Sequence, residues 1–337
     1  MDTIFFLVQQ TWFFAIPLLV VALGGLFSER SGVINIALEG IMLIGALCGI
    51  GFIHIFNHAM PPQLLLLCAV LVAGAAGIVF SLFHAFAAIH MKADQVISGT
   101  ALNTFAPAFC IFIARTFQQT QQIQFENVFR IESVPVLGSI PIIGDLLFKN
   151  TYITTYIGLL FLVLAWVIIY KTRFGLRLRA CGELPQAADS AGISVYKMRY
   201  AGTLISGFLA GIGGLIFVVP TSNVFNADVA GYGFLALAVL IFGQWKPFRI
   251  FFAALFFGFM KTVAATSSGI PFLAGLNIPP YIYKMVPYIA TLIVLAFVSK
   301  NSAAPAAEGE PFDKGKTLKL INLISFFSLT DVVQLEP

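Results

Sequence analysis

The residues able to do chemistry in this chain are few and far apart. Glu39, Asp228, Lys261 and Lys284 each stand inside or beside long apolar runs. A charge at the centre of a bilayer costs on the order of 3 kcal/mol unless it is paired or hydrated. Each therefore reads as part of a proton relay, a structural ion pair or an interfacial group. A relay needs a second acid about one helical turn away, and neither carboxylate has one, which favours the structural readings. His54 and His58 share one helical face by their i, i+4 spacing, but no third ligand stands near them. They read as interfacial, and no metal site is expected. Gly309 to Thr317 (GEPFDKGKT) resembles a phosphate loop with one residue too many and no strand before it, so this chain is not expected to bind ATP itself. HExxH and GxSxG do not occur, and no nucleophile–base pair follows from spacing, so no catalytic residue is assigned. Cys48, Cys68 and Cys110 lie in apolar runs and Cys181 among basic residues, with no CxxC; this excludes a disulfide framework and a metal knot.

The elements that must position these groups are apolar spans. Of 337 residues 59% are hydrophobic and only 10% charged, with a mean hydropathy of +0.94, far from the balance of a soluble domain. Apolar runs fall at about 4–27, 33–56, 63–90, 95–114, 151–170, 201–220, 229–244, 250–268 and 281–299. Each approaches the twenty or so residues that cross a hydrocarbon core. The fold class is an all-α, polytopic transmembrane helical bundle of about nine spans, eight to ten being the range; nothing shows the ten-residue alternation of a membrane barrel. The first run lacks a basic n-region, because the first Arg or Lys is Arg30, and reads as a retained helix. The net charge of +4 needs no nucleic acid to explain it.

Orientation follows from the basic residues. Fourteen of the 19 Lys and Arg fall in loops on the same side as the stretch 171–200 or in the tail, and three (Arg115, Arg130, Lys149) on the other. The remaining two, Lys261 and Lys284, lie within runs. This places 171–200 in the cytoplasm and the N-terminus outside. The long external loop, about 115–150, opens on Gln118 to Gln124 and then carries Pro135, Gly138, Pro141 and Gly144, which suits a structured lid or docking platform. Residues 1–300 form the membrane domain. The tail, 301–337, opens with Ala, Pro, Gly and charge and reads as largely disordered; its apolar stretch 318–329 is too short to span.

Polar groups also interrupt the spans. In Phe27–Ala46 (FSERSGVINIALEGIMLIGA) a span begins within polar residues. Ser31, Gly32 and Asn35 can let the backbone unwind, with Glu39 about a turn deeper, lining a cavity or gate; the alternative is a helix capped at Ser31. Asn103, Asn223 and Asn226, with 35 Phe residues, can form a pocket that stacks a flat ring and bonds its edge, or Asn223 and Asn226 lie in an external loop. Asn35, Glu39, Asn103, Asn223 and Asn226 are the candidate substrate pathway. The small residues Gly45/Gly49 and Gly207/Gly211, with Gly213 and Gly214, read as helix-packing positions.

Three stretches resemble a known family: FSERSGVINIALEGIMLIGA, GELPQAADSAGISVYKMRYAGTLISGFLAGIGG (Gly182–Gly214) and GYGFLALAVLIFGQWKPFRIFFAALFFG (Gly231–Gly258). They are similar to the permease subunits of bacterial ABC importers, in the branch for ribose, branched-chain amino acids and nucleosides. The Ser28–Gly32 opening and the GEPFDKGK near the end resemble the nucleoside-type subgroup. The resemblance covers about residues 20–300; the tail 317–337 has no counterpart and receives no role.

The resemblance implies a short coupling helix in the central loop, around Glu183 to Tyr196, seated in a groove of a cytoplasmic ATPase. Glu183, Ala187, Ala188, Asp189, Ala191 and Gly192 would form it, and Arg177, Arg179, Lys197 and Arg199 would orient it. It further implies a non-enzymatic subunit in the bacterial inner (cytoplasmic) membrane, with no cofactor of its own. The partners would be ATPase subunits that bind ATP and Mg²⁺, a second permease (a related chain or a second copy), an external binding lipoprotein and membrane lipid. The expected substrate is a nucleoside of purine type, with riboflavin, a ribose-like sugar or a branched-chain amino acid as alternatives. The rival of another class is an ion-coupled secondary transporter, which needs a titrating intramembrane carboxylate and an inverted repeat; no clear repeat is visible.

Overall fold

The computed structural model describes residues 2–135, 138, 140, 144–266, 280–298 and 304–314. The helices among them are α1 (Asp2–Glu29), α2 (Leu38–Phe56), α3 (Pro62–Ile89), α4 (Gln95–Gln118), α5 (Ile153–Lys171), α6 (Arg173–Glu183), α7 (Pro185–Ser190), α8 (Val195–Thr221), α9 (Tyr232–Phe242), α10 (Pro247–Thr266) and α11 (Pro280–Val298). Every apolar run in the sequence gives one helix. Among the described residues seven helices are long and apolar enough to cross a membrane: α1 to α5, α8 and α10. The run at 229–244 falls short of a span, because α9 has 11 residues and rises only about 16 Å at 1.5 Å per residue. The chain reaches it by an extended path with left-handed residues at Ala227, Ala230 and Gly231, which consumes the first part of the run.

α1 and α8 form the centre and are buried along most of their length. α2, α3, α9 and α10 pack around them. What permits this density is glycine. A Cβ at Gly45 would overlap the backbone of Gly211, one at Gly77 the carbonyl of Gly207, and one at Gly214 the carbonyl of Met42. The small-residue positions in the sequence are thus the contacts of α8 with α2 and α3, where backbones touch without intervening side chains. α4 lies outermost and exposes Phe105, Phe112 and Phe117, a face suited to lipid.

The described part of the 115–150 loop is structured. β1 (Ile123–Gln124) pairs antiparallel with β4 (Val224–Phe225), and β2 (Ile131–Ser133) with β3 (Lys149–Thr151). A π-helical turn, Gly144–Phe148, precedes β3. On the opposite, basic side, residues 304–314 depart from the disorder expected of the tail. Phe312 and Ala307 are buried, and the segment lies against α6, α8 and the α1–α2 connection. Its composition lacks an apolar run, but one aromatic anchor and a row of backbone hydrogen bonds suffice. The tail stretch 317–337 lies outside the described residues.

Candidate functional site

The α1–α2 connection is unwound, as the alternative without a Ser31 cap requires. α2 begins only at Leu38, with no side-chain cap at Ala37. Ser31 instead turns back on Ser28, its hydroxyl donating to that carbonyl at 2.6 Å. Neighbouring helices supply partners for the opened backbone. Ile34 N–H donates to Gln95 Oε1 at 2.7 Å, and the Ile34 carbonyl accepts from His84 Nε2 at 2.8 Å. Asn103 accepts from Gly40 N–H at 2.7 Å and donates to the Ile36 carbonyl at 2.8 Å. Asn35 is fully buried and donates to Ser206 Oγ at 2.9 Å, so it holds the connection against α8.

Glu39 stands in the first turn of α2 and reaches α9. Its two carboxylate oxygens accept separately from Gly231 N–H at 2.9 Å and Gly233 N–H at 2.5 Å. A carboxylate so placed satisfies free amides of a helix N-terminus and meets the positive end of its dipole. The other end of α9 lies on the basic side, where the Trp245 indole donates to Glu29 and Arg30 Nη2 donates to the Trp245 carbonyl at 3.1 Å. Glu39 is therefore about 16 Å above that side, near the middle of a 30 Å core. Asp228 is not at membrane depth as a free carboxylate; it is exposed in the 222–231 connection and accepts from Ala230 N–H at 2.8 Å.

Lys261, fourteen residues into α10, lies at a similar level. Its Nζ sits 5.2 Å from the ring centroid of Tyr232 and 5.1 Å from that of Tyr288, and 3.4 Å from Tyr288 Oη. Among the described residues it makes no ion pair; two aromatic faces stabilise the cation in place of a carboxylate. The Lys284 side chain lies outside the described residues. Asn223 and Asn226 are exposed in the external 222–231 connection. Asn223 borders an open cavity of about 680 Å³ with His54, Asn57, His58, Gln124 and Glu126. There His54 Nδ1 is 2.9 Å from the Gln124 carbonyl and Asn57 donates to Glu126 at 3.2 Å.

On the basic side the central stretch breaks into three helical pieces. Pro185 starts α7 at its first turn, where a missing N–H costs nothing. Gly192, at φ +79°, ends it. Ala187, Ala191 and Gly192 are exposed, Asp189 is half-buried, and Ala188 points inward against Cys181, Val195 and Phe312. Burial pushes the Cys181 thiol up to about 11, so it packs as a neutral side chain. Arg177 is exposed on α6, whereas Arg179 lies over the Tyr170 ring at 5.1 Å. Lys197 is exposed, but Arg199 is not a loop cation: it is 1% exposed and its Nη1 donates to the Glu310 carbonyl at 2.7 Å. Glu183 is likewise engaged within the chain, pairing with Arg30 at 3.5 Å and accepting from Ala306 N–H at 3.2 Å. The contributions of Gln95, His84, Trp245 and residues 304–314 have no local signal in the sequence, since each acts on a partner fifty or more residues away.

Comparison with known proteins agrees with this arrangement. The family described as branched-chain amino acid transport system/permease component matches residues 7–295. The guanosine ABC transporter permease protein NupQ of Bacillus subtilis is 42% identical over 315 residues, 92% of this chain and 97% of that protein. The nucleoside ABC transporter permease protein NupC of Lactococcus lactis subsp. cremoris is 39% identical over 316 residues, 94% and 99% of the two chains. A second Lactococcus protein, the nucleoside ABC transporter permease protein NupB, is 27% identical over 307 residues, 87% and 81%. No solved structure matches. This is a multi-pass protein of the inner (cytoplasmic) membrane. It belongs to the branched-chain amino acid transport system/permease component family.

Proposed function

We propose that this chain is the membrane permease of an ATP-driven importer of purine-type nucleosides, and not itself an enzyme. The observation that carries the reading is α7. It is a short helix with an exposed small-residue face, standing at the basic end of the bundle between α6 and the central helix α8. Such a helix fits a groove of a cytoplasmic ATPase that binds ATP and Mg²⁺, and closure of that ATPase can displace it as a rigid piece. Ala187, Ala191, Gly192 and Asp189 face the partner; Ala188 fixes the helix from beneath; Arg177 flanks it. The nucleoside assignment rests on near-full-length likeness to NupQ and NupC. NupB, a second permease from the same organism as NupC, supports a related chain as the second permease.

The pathway runs along the face where Asn103, Glu39, Lys261 and Tyr288 leave polar atoms near mid-depth, with Asn223 and Asn226 at its external mouth beside the open cavity. This face meets the second permease, and the mouth receives substrate from an external binding lipoprotein. Affinity purification from the native membrane, combined with uptake of labelled guanosine, tests the proposal. An ATPase, a second permease and a lipoprotein should co-purify, and uptake should stop on ATP depletion. Recovery of the chain alone, with uptake that survives ATP depletion and collapses with the ion gradient, would make it an ion-coupled transporter instead.

A further inference from the structure

Residues 304–314 cross the basic face and tie together elements that are distant in sequence. Ala306 N–H donates to Glu183 Oε2 at 3.2 Å and Ala307 N–H to the Gly182 carbonyl at 2.9 Å, holding the end of α6. Gly309 N–H donates to the Gly32 carbonyl at 3.2 Å, holding the unwound α1–α2 connection. The Glu310 carbonyl accepts from the buried Arg199 of α8 at 2.7 Å. The carboxyl of Glu308 interacts electrostatically with that of Glu29, which also receives the indole of Trp245 from the α9–α10 turn. Asp313 pairs with Lys92 of the α3–α4 turn at 3.4 Å. Phe312, 3% exposed, packs on Cys181, Ala188 and Val195 beneath α7 and meets the Tyr196 ring edge-on at 5.4 Å between centroids.

The consequence is mechanical. Ala188, buried on α7 together with Pro185, touches the bundle through a small cluster whose one large fully buried side chain is Phe312. A displacement of α7 can act on the spans only through rigid contacts, because packed cores pass on strain and loose ones absorb it. The direct covalent routes from α7 run through Leu184 on one side and the turn 191–194 on the other. The segment 304–314 adds a second route, from α7 and α6 to α1, α8 and the α9–α10 turn together. We infer that residues 304–314 are a transmission strap, with Phe312 as the positioning residue that seats α7, so that ATPase closure moves α1, α8 and α9 as one. The inference rests on the reading of α7 as the ATPase-docking helix.

The test uses the complete transporter in proteoliposomes, with uptake and ATP hydrolysis measured on the same sample. Phe312→Ala should keep the ATPase subunits bound and ATP hydrolysis running, while guanosine taken up per ATP falls about tenfold or more, as expected of a large buried ring removed from a small cluster. Phe312→Leu, which refills most of that volume, should restore most of the ratio. A Phe312→Ala complex with wild-type uptake per ATP would overturn the strap and leave ATPase docking at α7 intact. Absence of any ATPase from the wild-type complex would overturn the docking reading itself. A second measurement does not depend on the stability of that variant: spin labels at the exposed positions Leu184, at the start of α7, and Ala306 report the separation of α7 and strap. An unchanged separation between nucleotide-free and ATP-bound states supports a common rigid unit, and a change of several ångströms overturns it.

Discussion

Glu39→Gln separates a structural carboxylate from a proton carrier. In the wild type each oxygen of Glu39 takes one amide of the α9 N-terminus, Gly231 at 2.9 Å and Gly233 at 2.5 Å. Gln offers one oxygen and one NH₂, so one amide keeps a weaker, neutral bond and the other faces a donor. Losing a charged acceptor costs about 1.5–3 kcal/mol, and removing a negative charge from a helix N-terminus about 0.3–1 kcal/mol more. Glu39 is only partly buried, so the lower part of that range, about 2 kcal/mol, is expected. For a large domain this lowers the Tm by roughly 4–8 °C. The assay pairs thermal unfolding of purified protein with guanosine uptake, each with and without an ionophore. The expected result is a lower Tm and slower uptake that remains driven by ATP and indifferent to the ionophore. If the wild type proves ionophore-sensitive, and Glu39→Gln removes that sensitivity at unchanged Tm, Glu39 is a coupling carboxylate and the clamp is refuted.

Two other perturbations address the basic face. Gly192 holds φ +79° and its missing Cβ would meet nothing within the described residues, so substitution adds backbone strain of about 1 kcal/mol and fills the space that the proposed docking gives to the ATPase. Gly192→Trp should abolish ATP-driven uptake with normal membrane insertion, while Gly192→Asn, which tolerates the left-handed conformation, should keep most of it; normal uptake in the Trp variant would remove α7 from the docking surface. Glu308 titrates on the strap: burial raises its carboxyl above the ordinary value of 4.5, against the opposing pull of the Glu29 hydrogen bond and the Arg30 charge. Between pH 4.5 and that raised value the folded strap therefore holds a proton that the open strap releases. Its stability is full below about pH 4.5 and falls as pH rises through the raised value. Glu308→Gln should protect strap amides from hydrogen exchange equally across that range; protection with the wild-type pH dependence would exclude Glu308 as the titrating group.

What was legible in the sequence was whatever local periodicity and composition encode. Each apolar run became a helix, the unwound α1–α2 connection followed from the polar residues between Ser28 and Asn35, and the glycines of α8 sat where backbones meet. Long-range partners were not legible. Glu39 stood out for its depth, but its acceptor role depends on amides 192 and 194 residues away. Arg199 read as one more positive-inside charge, because nothing near it shows that Glu310 turns back to receive it. The strap read as disorder because Ala, Pro and Gly carry little burial signal, and a single Phe312 does not make an apolar run. The apolar run 229–244 is longer than α9 because apolar residues of an extended connection look like those of a helix.

Polar residues at membrane depth usually mark function, and on that ground the sequence alone makes the asparagines and acids of this chain pathway candidates. The structure gives many of them a prior duty. Unwound backbone inside a bilayer is tolerated only where its N–H and C=O groups find partners, and here the partners are identifiable. Gln95 and His84 satisfy Ile34; because His84 Nε2 must donate to that carbonyl, its Nδ1 accepts from Ser98 at 3.1 Å and the ring is a neutral strut. Asn103 satisfies Ile36 and Gly40, Asn35 ties the connection to Ser206, and Glu39 satisfies Gly231 and Gly233. These side chains account for the unwound connections that precede α2 and α9 without reference to any solute. Lys261 is different: no backbone break needs it, and among the described residues its charge rests on two tyrosine rings and no carboxylate. Held that way at mid-depth, it is among the described intramembrane charges the one whose presence the unwound connections do not explain.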